Sequence, residues 1–125
     1  MYNLGLVLKE QGRTEAAFDT LYRATWNYTY NSGANYQLAQ MYSARSNYEM
    51  ALERLDEAID YNGRNYHAIN MKGAILDRLG KKREAADCFG KVLSEDPVNA
   101  YAIHRTASAA DFHIIIKNNG IVRTY

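Results

Sequence analysis

The chain carries three histidines (His67, His104 and His113) and one cysteine (Cys88). These residue types hold metals, relay protons and act as nucleophiles, so their spacing decides what chemistry is open to the chain. The histidines share no HExxH or similar pattern. His67 and His104 are 37 residues apart, on neighbouring helical patterns, and only Asp77 and Asp111 are obvious acidic companions. A metal site needs further ligands and a closed geometry, so no metal is expected. Cys88 immediately precedes Phe89 within an apolar-periodic stretch, where cysteine behaves as a small hydrophobe. The adjacent carboxylates Asp56/Glu57 and Glu95/Asp96 fall at helix ends or on solvated faces. "GRNYHAINMKG" lacks the Lys-Ser/Thr ending of a phosphate loop. The expectation is a chain with no catalytic site, no cofactor and no metal.

Composition narrows the partners. Fifteen basic residues face 14 acidic ones, for a net charge of +1. Neither a basic surplus nor a basic stripe is present, which argues against nucleic acid. The run Lys81–Arg83 reads as a solvated turn. No apolar run reaches the roughly 18 residues of a membrane helix. A single cysteine excludes an intramolecular disulfide framework, and a single proline suits a helical chain. Tyrosine is abundant, at 11 residues. It supplies large amphipathic surface to cores and binding faces alike.

The elements that would position these residues follow from an internal period. Gly5, Ala39, Gly73 and Ala107 are spaced by 34 residues, as are Gly12, Ser46 and Gly80. The same step links Ala17, Ala51 and Ala85; Leu21, Leu55 and Phe89; Leu8, Tyr42 and Leu76; and Asn31, Asn65 and Asn99. Six ladders at one period identify a repeat. The Asn rungs precede helical patterns and are expected N-caps. Gly12, Ser46 and Gly80 end the first helix of each pair. Glycine takes the left-handed turn there, and at Ser46 the neighbouring Asn47 is an alternative turn residue. The short connections that follow make antiparallel helical hairpins. Gly5 and Ala17 are expected where two helices cross closely, with the large rungs filling the space around them.

These residues resemble tetratricopeptide repeats. "YNLGLVLKEQGRTEAAFDTLYRA" and "NYHAINMKGAILDRLGKKREAADCFGKVLSEDP" carry the resemblance, with Gly73, Gly80, Ala85, Phe89 and Pro97 meeting the family pattern. Departures are Val92, where Ala24 and Ala58 stand in the other repeats, and Thr29 and Gly63 in place of a terminal proline. The resemblance implies an all-α, right-handed superhelical array. It comprises three hairpins (about 1–30, 31–64 and 65–98) and an extra helix, 99–110, within a repeat domain of residues 1–110. The next Asn rung would fall before Met1, so the chain reads as a piece of a longer protein. "ATWNYTYNSGANYQLAQMYSARSNYEMALERLDEAI" further resembles the repeat region of large bacterial proteins that pair such repeats with carbohydrate-associated β-sandwich domains.

The first helices of such arrays line the concave face. The resemblance therefore implies a groove built from Tyr2, Leu6, Lys9, Tyr36, Gln40, Ser43, His67, Asn70, Asp77, Tyr101, His104 and Asp111. Its expected ligand is a peptide or a neighbouring domain, with a saccharide as the alternative. The carboxylate-gripping set of co-chaperones with this fold would fall at Tyr2, Leu6, Gln37, His67 and Met71, and none matches. Residues 111–125 leave the ladder. Asn119 stands where a second-helix alanine is due, Ile114, Ile115 and Ile116 favour strand, and "NNG" signals a hairpin. A loose terminus, a hairpin over the array end and strand pairing with another chain are all open readings. Homodimerisation through the array ends, or through Phe112 and Ile114–Ile116, is expected.

Overall fold

The computed structural model describes residues 1–107, and the expectations for residues 108–125 lie outside the described residues. Among the described residues there are seven helices and no strand, so the chain is all-α. The helices are α1 (Tyr2–Glu10), α2 (Thr14–Ala24), α3 (Asn31–Ala44), α4 (Tyr48–Tyr61), α5 (Tyr66–Arg78), α6 (Lys82–Glu95) and α7 (Ala100–Ala107). They follow the 34-residue ladder as tetratricopeptide-like hairpins, and they form two compact units that divide after Ala68, within α5.

The turns within the hairpins are set by backbone conformation. Gly12 and Gly80 adopt φ values of +75° and +84°, the left-handed region where a side chain is penalised. Ser46 adopts φ +59° at the equivalent rung. The serine therefore takes the turn itself, and Asn47 does a different job. Asn47 caps α4 by accepting a hydrogen bond from the Met50 amide. Asn65 and Asn99 act as the expected N-caps, accepting from the amides of Ala68 and Ala102 at 3.1 Å each. Asn31 does not. It is the first residue of α3, buried, and its amide nitrogen donates to the Thr25 carbonyl at 2.8 Å. It pins the α2–α3 connection instead of capping the helix.

In the first unit, Leu8, Ala17, Phe18, Leu21, Leu38 and Met41 form one core cluster, with Tyr2, Tyr22 and Tyr42 packed on it. Ala51, Leu55 and Ala58 of α4 are fully buried. Fully burying a leucine such as Leu21, Leu38 or Leu55 stabilises by roughly 1.5–3 kcal/mol. In the second unit, Ile75 and Leu76 of α5 are buried, as are Ala85, Phe89, Val92 and Leu93 of α6 and Ala102 of α7.

The small rungs are occupied by close approach, but not to the residue expected. A Cβ on Gly5 would stand 2.6 Å from Leu21 Cδ2, and one on Gly73 would stand 2.8 Å from the Phe89 ring. Gly5 and Gly73 thus receive the large rung of their partner helices, rather than the small one at Ala17 or Ala85. Overlap of this size forces neighbours to move, which offsets the roughly 1 kcal/mol helix cost of glycine.

Candidate functional site

Within the first unit, α1 and α3 present a continuous polar strip. Lys9 Nζ donates to Gln37 Oε1 at 2.7 Å and to Gln40 Oε1 at 2.6 Å. Gln40 Nε2 donates to the Tyr36 hydroxyl at 2.9 Å. The Tyr36 ring leans on His67 with centroids 5.9 Å apart. At the other end of α1, Tyr2 stacks on Tyr30 at 5.6 Å with the planes 11° apart. Lys9, Tyr36, Gln37, Gln40, Leu6 and Ser43 are half-buried and His67 is exposed. Burial pushes the Lys9 ammonium below the ordinary lysine value, because it loses water that favours the charged form.

A second network behind the strip holds α3 in place. The Asn35 amide donates to Asn31 Oδ1 at 3.0 Å, and Asn35 Oδ1 accepts from Arg54 at 3.2 Å. Arg54 also pairs with Glu57 at 2.8 Å and Glu53 at 3.2 Å. Ser32 donates to the Ala58 carbonyl and accepts from Asn65, tying the start of α3 to α4 and to the α4–α5 connection. Tyr22 and Tyr42 share a hydroxyl–hydroxyl hydrogen bond. Burial and that bond push the Tyr22 phenol up to about 12. Apart from the buried Arg54 Nε, which has no partner among the described residues, the polar groups named here are paired, and such a network favours one orientation of the elements that carry it.

The second unit arranges its polar groups differently. Asp77 accepts from Lys82 at 2.6 Å and from Arg105 at 2.9 Å, so its carboxylate already has two cations. Asn70, expected on the open face, is only 5 % exposed. Its amide donates to Asn99 Oδ1 at 3.2 Å, which turns it toward the start of α7. Tyr101 is exposed, with its ring 6.3 Å from that of Phe89. His104 is exposed, and Asp111 lies outside the described residues.

The structure thus brings Lys9, Tyr36, Gln40 and His67 together in one unit. It places Asp77, Tyr101 and His104 in the other, and Asn70 in its interior. Gln37 belongs to the strip although the groove pattern omitted it. Its signal was its place one turn before Gln40, since residues three apart on a helix are neighbours. Among the described residues, no three His, Cys, Asp or Glu side chains are grouped to hold a metal ion. No described helix is long and apolar enough to cross a membrane.

Two segments match family models described as tetratricopeptide repeat, at residues 1–29 and at residues 66–99. The first spans α1 and α2 and the second spans α5 and α6, and together they cover just over half of the chain. No curated protein matches the chain.

Proposed function

We propose that this chain, a member of the tetratricopeptide-repeat family, binds an extended protein segment along the strip formed by α1 and α3 in its first unit. Repeats of this family serve protein–protein interaction and scaffolding. The observation that carries the narrower reading is the linked set Lys9, Gln37, Gln40 and Tyr36. Each member is held by a neighbour and still has hydrogen-bonding capacity to offer. The Gln37 amide has two N–H donors, Gln40 has one left, and the Tyr36 hydroxyl keeps its proton for donation. An extended backbone presents one N–H and one C=O per residue. A row of fixed donors and acceptors therefore suits such a segment, whether it comes from a separate protein or from another part of a longer chain. Preorganised side chains also lose little freedom on binding.

The saccharide alternative has no comparable support within the strip, where the aromatic rings already lie against others: Tyr2 stacks on Tyr30 and Tyr36 leans on His67. The test is selection of a displayed random-peptide library on the folded 125-residue chain. Peptides so recovered are expected to lose at least about tenfold in affinity on a Tyr36→Ala/Gln40→Ala chain, the loss of one or two well-placed hydrogen bonds. They are expected to bind an Asp77→Asn chain unchanged. Equal binding to the Tyr36/Gln40 variant would contradict the assignment.

A further inference from the structure

The cations of this chain differ in what they rest on. Arg54 and Arg105, both half-buried, sit on the carboxylates of Glu53 and Glu57 and of Asp77. The more exposed Arg23, Arg45 and Lys82 pair with Asp19, Glu15 and Asp77. Lys9 is half-buried as well, yet its ammonium is met by two neutral amide oxygens, and no described carboxylate lies within ion-pair distance. Two of its three N–H groups are directed at those oxygens, which leaves one. A partly desolvated charge without a counter-charge is costly, and an arriving anion relieves that cost. Its lowered proton affinity agrees with this uncompensated state.

We propose that the segment bound by the α1–α3 strip carries an aspartate or glutamate side chain that docks on Lys9. This rests on the groove reading above and names the chemistry of its ligand. One cation in the strip calls for one negative charge. Phosphate groups are typically met by clustered arginines that bind them bidentately, and the strip has none. Gln37 and Gln40, already fixed by Lys9, hold the ammonium in place, so an incoming carboxylate meets a positioned donor. Their own N–H groups are then left for the neighbouring backbone of the bound segment.

The experiment uses the random-peptide library on the whole folded chain, run in parallel on a Lys9→Met chain. Peptides from the unaltered chain are expected to share an acidic position that is absent from those selected on Lys9→Met. A synthetic peptide from the first selection, with that acidic residue changed to its amide, is expected to bind the unaltered chain about tenfold more weakly, the worth of a charged hydrogen bond. The same change is expected to have no effect on Lys9→Met, and Lys9→Arg is expected to retain the preference for the acid. Peptides that depend on Tyr36 and Gln40 but show no acidic position would overturn this inference and leave the groove reading standing. So would an acid-to-amide change felt equally by both chains. Recovery of no peptide that depends on Tyr36 and Gln40 would overturn both.

Discussion

The first unit and the second are built on one repeat, but they differ in how they hold Lys9, Tyr36, Asn70 and Asp77, polar residues expected on the open face. From Ile69 onward, Asp77 is claimed by Lys82 and Arg105, and Asn70 is turned inward to Asn99. Up to Ala68, the side chains of Lys9, Gln37, Gln40 and Tyr36 satisfy one another only in part and remain at the surface. The packing beneath is the same in both, since Gly5 receives Leu21 as Gly73 receives Phe89. The repeat thus supplies a scaffold twice over, and it leaves unfilled hydrogen-bonding capacity in the unit where binding is proposed. Function in such a chain is a property of the residues the ladder does not constrain.

The largest expected effects test whether the two hairpins are built alike. Phe89→Ala is expected to cost about 3–5 kcal/mol and Leu21→Ala about 2–5 kcal/mol, because each empties the space over a glycine. Urea unfolding of both variants measures this. A cost under about 1 kcal/mol at either position would break the equivalence of the two hairpins.

Smaller effects sharpen the comparison at the turns. Ser46 holds a left-handed conformation that Gly12 and Gly80 hold without a side chain. Ser46→Gly is therefore expected to stabilise by up to about 1 kcal/mol. Gly80→Ala is expected to destabilise by about 1–2 kcal/mol, the left-handed penalty of a residue with a Cβ. Nothing lies within 4 Å of the place a Cβ on Gly80 would occupy, so that cost is conformational and not steric. Thermal melts that ranked the two substitutions the other way would show that the turns are not equivalent.

The ladder made most of the fold legible. A glycine at a helix end and a small residue inside a helix have few physical uses, and their recurrence at a fixed step left one arrangement of helices. What it could not show was partners. Asn31 and Asn65 are the same rung and the same residue type. Asn65 caps α5, while Asn31 lies inside α3 and bonds back to Thr25. The difference comes from the α2–α3 connection, which supplies a carbonyl for Asn31 to meet. The resemblance places Asn70 on the open face, but its amide donates to Asn99, which already caps α7. Gln37 enters the sequence reading only as a carboxylate-gripping position that does not match; its place in the strip rests on a contact with Lys9, 28 residues earlier, to which its spacing from Gln40 is the one local clue.

The smallest effect concerns the hydroxyl pair at the back of the first unit. The Tyr22 phenol is pushed up to about 12 in the folded chain by burial and by its bond to Tyr42. An unfolded tyrosine titrates near 10. The folded state therefore holds its proton longer than the unfolded state. The stabilisation is complete below about pH 10 and is lost as pH rises toward 12. Unfolding measured between pH 9 and 12 is expected to show a steeper alkaline loss for the unaltered chain than for Tyr22→Phe, in the range of about 10–12 set by these values. Identical slopes would mean that Tyr22 is not held in its neutral form.

The most direct test of the central claim is a map of amide chemical shifts in a ¹⁵N-labelled 125-residue chain titrated with a library-selected peptide. The largest perturbations are expected along α1 and α3, centred on Lys9, Tyr36, Gln37 and Gln40, with the amides around Asp77 and Arg105 unmoved. Perturbations centred on α6 and α7, with α1 and α3 silent, would contradict the account.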